Sequence, residues 1–197
     1  MGSVWCVEPM TFTDVAGWEG WLAEHHARAA DAWLRIAKKG APSPTITAQE
    51  AGDVAICFGW IDSQRRGLDV HHFLQRYSPR RAGGRWSRVN VERAEALVAA
   101  GRMRPPGLAQ IEAAKADGRW DRAYASQRTA TVPDDLAAAL AADAAAGARF
   151  AALDKTSRYA VILRVTSAPG DAARARRLAT LVRLLAAGDP IPPPQVG

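Results

Sequence analysis

The sequence predicts an α+β fold, with a small antiparallel β-sheet and helices in the N-terminal half, followed by a helical C-terminal half. Before residue 79, short runs alternate large apolar residues with smaller or charged ones. After residue 84, apolar residues recur at helical spacing instead. A tight turn is predicted at residues 67–69, between two of the alternating runs, so these two runs are expected to pair as a hairpin. A small sheet with helices on one side is the simplest packing for this order of elements.

Local signals place the elements of the N-terminal half. Thr47, with Glu50 three residues later, forms a capping box that begins a helix. Gly59 suits the left-handed residue that ends the same helix. By such signals, helices are predicted over residues 14–29 and 48–58, and strands over residues 32–39, 60–66 and 71–78.

The C-terminal half reads as a series of helices. Ser87 is predicted to cap one that Gly101 ends, and Pro133 begins another with acids in its first turn. The predicted helices cover residues 87–100, 107–116, 133–142, 144–153, 157–166 and 172–187. The predicted organisation is a loose lead-in over residues 1–11, a small α+β part over 12–83, a helical part over 84–188 packed on it, and a loose proline-rich tail over 189–197. The two central parts can also form one single domain.

The positive charge is concentrated in one segment. The formal net charge is +6, and residues 62–104 hold ten arginines and four acids, which accounts for the whole excess. Such a concentration can meet a phosphate group, a nucleic acid or an acidic lipid surface. The alternative is a solvated face rich in arginine.

The cysteines and the distribution of apolar residues indicate where in the cell the protein is located. Cys6 and Cys57 are too few for a disulfide framework, and Cys57 lies in an apolar run typical of a buried thiol in a reducing compartment. The first 17 residues lack the basic start and apolar core of a signal peptide. No run of about 18 apolar residues occurs. We therefore expect a soluble, cytoplasmic protein without membrane insertion.

The segment from residue 56 to residue 90 brings aromatic, acidic and arginine residues close together in sequence. We predict a pocket at the junction of the sheet and the helical part that recognises a small anionic ligand. The predicted ligand-binding residues are Trp60, Asp62, Arg65, Arg76, Arg80, Trp86, Ser87 and Asn90. The alternatives are that Asp62 pairs with a neighbouring arginine and that Ser87 only caps a helix.

Catalytic chemistry has two candidate residues. Asp62, beside tryptophan and arginines, can act as a general base, and Cys57 can act as a nucleophile if nearby arginines favour its thiolate. The competing interpretations are ion pairing for Asp62 and burial for Cys57. The two histidine pairs are adjacent residues whose side chains diverge, and no metal-ligand or nucleotide-binding spacing occurs. We expect no metal and no cofactor.

Short motifs occur in a characteristic order along the chain. They include Trp18-x-x-Trp21-Leu22, Cys57-Phe58-Gly59-Trp60-Ile61-Asp62, Arg76-x-x-Pro79-Arg80, Trp86-Ser87-x-x-Asn90, Gly101-Arg102-Met103 and Val132-Pro133. This set resembles the YdeI/OmpD-associated proteins, bacterial proteins often labelled bacteriocin-protection proteins, from about residue 12 to residue 186. The resemblance implies a bacterial, soluble protein linked to tolerance of bacteriocins or cationic antimicrobial peptides and to envelope stress. It implies no catalytic residue.

Three functions follow as hypotheses. A cationic chain is a poor trap for cationic peptides, so protection is expected to be indirect, through a small anionic ligand or a protein partner. The second hypothesis is an enzyme of unknown reaction that uses Asp62, with or without Cys57, in the same pocket. The third is a nucleic-acid-binding protein, ranked last because no recognition helix or stacking motif is evident. The sequence favours a non-enzymatic role and gives no oligomeric state.

Overall fold

The structure is a computed structural model that describes residues 8–191 of the 197-residue chain. The described residues form two compact units. The first consists of the described part of Met1–Gly84 together with Asn90–Trp120, and the second of Arg85–Val89 together with the described part of Asp121–Gly197. Cys6, most of the predicted lead-in and most of the predicted tail lie outside the described residues.

The predicted α+β class is confirmed. In chain order the elements are α1 (Val15–His25), β1 (Ala32–Ala37), α2 (Ala48–Cys57), β2 (Trp60–Gly67), β3 (His72–Pro79), α3 (Arg88–Ala99), α4 (Pro105–Ala116), α5 (Asp134–Ala142), α6 (Ala144–Ala152), α7 (Lys155–Thr166) and α8 (Asp171–Ala187). The capping box is present, since the Thr47 hydroxyl accepts from the Glu50 amide and the Glu50 carboxylate accepts from the Thr47 amide. Gly59 adopts φ 74°, which is the left-handed conformation predicted for it.

The sheet of the first unit is antiparallel, with strand order β1-β3-β2. The hairpin β2–β3 is therefore confirmed, and the earlier strand β1 pairs with the far side of β3. One face of the sheet packs on α1 and α2: Trp18 lies 5.6 Å from the Tyr77 ring and 6.5 Å from the Trp60 ring, measured between ring centroids. The indole nitrogens are paired as well, because Trp18 Nε1 donates to the Ala51 carbonyl and Trp60 Nε1 donates to the His26 carbonyl.

A β-bulge interrupts the hairpin. Asp62 stands opposite Tyr77 and Arg65 stands opposite Gln75, so three steps along β2 match two steps along β3. Gln75 is buried, and its Nε2 donates to the Gln64 carbonyl at 3.1 Å while its Oε1 accepts from Arg65 Nε at 2.9 Å. The buried amide thereby pairs a backbone group that the bulge takes out of the ladder. Because of the bulge, Asp62 and Arg65 share a face that simple alternation would deny them.

Helices α2 and α4 approach closely. A Cβ at Gly107 would lie 2.3 Å from the Cys57 carbonyl oxygen, and a Cβ at Gly59 would lie 2.9 Å from the Pro106 carbonyl oxygen. Only residues without a side chain fit at this crossing. The Cys57-Phe58-Gly59-Trp60 run therefore serves the packing of α2 against α4 and the entry into β2.

The second unit has its own core, formed by α5 to α8. The buried side chains are Leu136, Leu140, Ala146, Phe150, Val161, Ile162, Val165, Leu181 and Leu185. A bidentate ion pair joins α5 and α8, because Arg174 donates through Nε and one terminal nitrogen to the two carboxylate oxygens of Asp135, at 2.7 and 2.8 Å.

Candidate functional site

The predicted ligand-binding residues of β2 have different surroundings. Trp60 is 1% exposed, and its ring packs edge-on against the rings of Trp18 and Trp21. Asp62 is exposed. Arg65 lies over the Phe73 ring at 4.4 Å while it donates to Gln75. The register brings Asp62 and Arg65 to the same face of the sheet.

Arg76 lies on the opposite face of the sheet from Arg65. It stands opposite Trp33 in the register, and its guanidinium pairs with Asp31 at 2.7 Å. Arg80, directly after β3, is buried, and its amide donates to the Gly59 carbonyl. Within the first unit the sheet thus separates Arg76 from the Asp62 and Arg65 side chains.

The remaining predicted ligand-binding residues fall at the start of α3. Asn90 belongs to the first unit, whereas Trp86 and Ser87 belong to the second. Trp86 is buried, and Ser87 forms an isolated parallel bridge with Tyr124 directly before α3 begins. A single pocket that contains all eight residues stays a prediction.

Cys57 lines a small pocket within the first unit. The pocket has a volume of about 170 Å³ and is lined by Glu19 of α1, Val54 and Cys57 of α2, and Gly101, Arg102 and Arg104 of the α3–α4 connection. Its lining combines a thiol, a carboxylate and two guanidinium groups. Glu19, Arg102 and Arg104 are absent from the predicted site.

Backbone hydrogen bonds fix the α3–α4 connection around this pocket. Gly101 adopts φ 66° and ends α3, and the Arg102 amide donates to the Leu97 carbonyl at 3.0 Å. Two residues later, the Arg104 amide donates to the Cys57 carbonyl at 3.1 Å. The sequence signal for the pocket is therefore a helix-ending glycine followed by two arginines before the Pro105-Pro106 start of the next helix.

The electrostatics of the pocket favour an anion. Arg104 Nε donates to Glu19 Oε1 at 3.2 Å, and this hydrogen bond raises the pKa of Arg104. Among the described residues, the Arg102 guanidinium has no hydrogen bond or ion pair. Burial raises the pKa of the Cys57 thiol, and the nearby charge of Arg102 only partly opposes this effect. The pocket therefore combines two guanidinium groups and one carboxylate with a thiol that burial keeps in its neutral form.

An open groove adjoins the pocket and shares Glu19 and Arg104 with it. The groove has a volume of about 440 Å³. Its other lining residues are Gly20, Ala23, His26, Phe58, Pro105 and Pro106. The Glu19–Arg104 ion pair therefore forms a wall common to the charged pocket and the mostly apolar groove.

The segment that contains the pocket and the groove matches a known protein family. Residues 10–110, which include every residue that lines the pocket and the groove, match the family model described as "Domain of unknown function (DUF8412)". The chain belongs to the DUF8412 family. A second model, "Bacteriocin-protection, YdeI or OmpD-Associated", matches residues 129–188. Searches of curated proteins and of solved structures found no match.

The predicted resemblance to YdeI/OmpD-associated proteins is thus confirmed for residues 129–188, a part of the chain. Most of the motifs that suggested it, including the Cys57–Asp62 run, lie within the DUF8412 match instead. The charged pocket therefore belongs to the DUF8412 part, and the bacteriocin-protection description attaches to α5 to α8.

The YdeI/OmpD-associated part contributes to a pocket of about 330 Å³ in the second unit. Its lining includes Tyr124, Thr131, Tyr159, Ile162 and Thr166. Tyr159 donates to the Ala125 carbonyl at 2.9 Å, and burial raises the pKa of its hydroxyl. Arg122 is the one charged residue in the lining, so this pocket offers less electrostatic attraction for an anion than the pocket at Cys57.

Metal binding and membrane spanning find no support in residues 8–191. No group of three or more His, Cys, Asp or Glu side chains in this range is arranged to hold a metal ion. None of the helices described there combines the length and apolarity needed to cross a membrane.

Proposed function

We propose that this protein is a binding module for a small organic anion, and that it acts in tolerance of bacteriocins indirectly, through the bound ligand. The observation that carries the proposal is the pocket at Cys57, where two guanidinium groups face one carboxylate. Arginine presents planar donors that match carboxylate and phosphate oxygens, so an unpaired arginine in a pocket suits such a ligand.

The pocket and the groove together suggest the form of the ligand. A pocket of about 170 Å³ suits a single charged group near Arg102 and Arg104. The adjoining groove, with Ala23, Phe58 and Pro106, suits a short apolar group attached to it. A bound anion would compete with Glu19 for Arg104. The ligand class is therefore a phosphate or carboxylate that carries an apolar substituent.

The state of Cys57 supports binding over nucleophilic catalysis. A nucleophilic cysteine acts as its thiolate, which needs a lowered pKa at neutral pH. Burial raises the pKa of Cys57 instead. The unpaired thiol also agrees with a reducing compartment, and we propose that the protein acts in the cytoplasm. Cell fractionation that places it in the periplasm would contradict this location.

Calorimetric titration with phenyl phosphate and with inorganic phosphate tests the binding. We expect phenyl phosphate to bind more tightly, because its ring would lie in the groove. Arg102→Gln should weaken binding of both by about tenfold or more, since hydrogen bonds to charged groups contribute about 1.5–3 kcal/mol. Arg81→Gln, an exposed arginine in the same unit, is the matched control and should bind like the wild type. Equal affinities of the Arg102 and Arg81 variants would refute the site.

A survival assay tests the biological part separately. A bacterial host that expresses the wild-type chain should survive a cationic bacteriocin better than the same host without it. If protection depends on the ligand, Arg102→Gln should lose it and Arg81→Gln should keep it. If the Arg102 variant no longer binds anions but still protects the host, bacteriocin tolerance does not depend on the bound anion.

A further inference from the structure

The tip of the β2–β3 hairpin exposes two aliphatic side chains. We name residues 68–71, between the two strands, the hairpin tip. Val70 is 80% exposed and Leu68 is 39% exposed. Single exposed apolar residues are common on proteins, so their exposure alone indicates little. The backbone and the charges around them are more informative.

The hairpin tip is held in a fixed conformation. Asp69 Oδ1 accepts from the amides of His71 and His72, each at 2.7 Å. Lys38 Nζ donates to the Asp69 carbonyl at 2.7 Å, which joins the tip to the end of β1. These hydrogen bonds hold the turn in one conformation, and in this conformation the Val70 side chain faces solvent.

Cationic side chains surround the tip. Lys38 and Lys39 directly follow β1, and the Lys38 amide donates to the His71 carbonyl. Arg65 and Arg66 lie near the end of β2 on opposite faces of the sheet, over the rings of Phe73 and Trp33 at 4.4 and 5.2 Å. Asp69 is the one acid within residues 38–41 and 64–72, and its carboxylate already accepts hydrogen bonds. Four cationic side chains thus surround the aliphatic apex against one carboxylate.

We propose that the hairpin tip docks the protein peripherally on an anionic lipid surface. Val70 and Leu68 would enter the boundary between headgroups and acyl chains, and the lysines and arginines would face the lipid phosphates. A nucleic acid fits this surface less well, because stacking on bases needs open aromatic faces and the Phe73 and Trp33 rings carry guanidinium groups. Two aliphatic side chains and four cations predict weak, reversible association that salt weakens.

Co-sedimentation of the full chain with vesicles tests the proposal. The vesicles contain phosphatidylcholine alone or phosphatidylcholine mixed with phosphatidylglycerol. We expect binding to the mixed vesicles at 50 mM NaCl, a strong decrease at 500 mM NaCl, and little binding to phosphatidylcholine alone. Val70→Ser should weaken binding by about tenfold and Lys39→Gln by about fivefold.

Matched controls separate the tip from general charge and apolarity. Val98→Ser removes an exposed valine from α3, and Lys155→Gln removes an exposed lysine from α7, and neither should change vesicle binding. Arg102→Gln should also bind vesicles normally. The vesicle assay can therefore refute lipid binding by the hairpin tip without bearing on anion binding in the pocket at Cys57. Circular dichroism confirms that each variant is folded.

Three outcomes would overturn the proposal. The first is no binding to phosphatidylglycerol vesicles at 50 mM NaCl. The second is binding that Val70→Ser and Val98→Ser change equally. The third is binding that Arg102→Gln abolishes and Val70→Ser leaves intact, which would assign headgroup recognition to the pocket at Cys57.

Discussion

Two helical glycines of the first unit differ in what surrounds them. Gly107 lies in the first turn of α4, where a Cβ would be 2.3 Å from the Cys57 carbonyl oxygen and 2.7 Å from the Ile56 carbonyl oxygen. Gly20 lies on the exposed side of α1, where a Cβ would meet no neighbouring atom within 4 Å. Helix propensity favours alanine over glycine at both positions, but close packing opposes alanine at position 107.

Alanine substitution at these glycines should change stability in opposite directions. Gly107→Ala forces α4 away from α2, and we expect a loss of about 1–3 kcal/mol in the free energy of unfolding. Gly20→Ala should gain about 0.5–1 kcal/mol, because alanine loses less backbone entropy on folding. Urea denaturation followed by tryptophan fluorescence measures both. Destabilisation of the two variants by similar amounts would contradict the close approach of α2 and α4.

Among the elements, the Asp135–Arg174 pair gives the second unit a defined response to pH. The hydrogen bond from Arg174 lowers the pKa of Asp135 below its ordinary value. A carboxyl group with a lowered folded-state pKa stabilises the fold above its unfolded pKa, and this contribution is lost as pH falls through the folded pKa. The pair therefore contributes stability at neutral pH and none once Asp135 is protonated in strong acid.

Asp135→Asn should lower the free energy of unfolding at pH 7 by about 0.5–1 kcal/mol. The effect is modest because the Asp135 and Arg174 side chains are 38% and 31% exposed, and solvent screens such pairs. The difference from the wild type should shrink as the pH falls below the ordinary aspartate pKa of about 4, and it should disappear once Asp135 is protonated in the folded state. Denaturation followed by circular dichroism at each pH measures it, with the exposed Asp121→Asn as control. A deficit that stays constant down to pH 2 would argue against the ion pair.

The sequence predicts most helices and strands, but it does not predict how they pack against one another. Thr47 with Glu50 and the left-handed Gly59 are local signals, so the bounds of α2 agree with the prediction to within a residue. The bulge is not local: it depends on Gln75, which lies across the ladder from Arg65 and pairs with the Gln64 carbonyl. The prediction also ends α1 near residue 29, whereas the helix ends at His25.

The same limit applies to the candidate site. Proximity in sequence predicts a site around Trp60 and Asp62, which stays a prediction, but it does not predict the charged pocket where α1, α2 and the α3–α4 connection meet. Glu19 and Arg104 are 85 residues apart. No spacing rule joins such residues, because their meeting depends on how the helices pack.

Over the whole molecule, pairing in space changes what the charge excess means. Residues 62–104 carry six more arginines than acids in sequence. Three of these arginines, however, pair with acids from elsewhere in the first unit: Arg76 with Asp31, Arg93 with Asp53, and Arg104 with Glu19. Counting these acids reduces the local excess from six to three. The surface field available to a polyanion is weaker than the sequence suggests.

Binding to nucleic acid should accordingly be weak, and it should become tighter when an arginine is freed from its ion pair. We expect duplex DNA to bind with a Kd weaker than about 10⁻⁴ M at 150 mM salt, near the weak limit of non-specific binding. Asp31→Asn and Asp53→Asn each free an arginine of the 62–104 segment, and each should tighten binding at 50 mM salt and steepen its salt dependence. Glu112→Gln, at an exposed position on α4, adds the same unit of positive charge without freeing a pair and should have a smaller effect. Fluorescence anisotropy with a labelled duplex measures all four proteins. Micromolar affinity of the wild type at 150 mM salt would contradict this expectation. It would show that the arginines bind a polyanion although three of them are paired with acids, and it would make nucleic-acid binding the leading function.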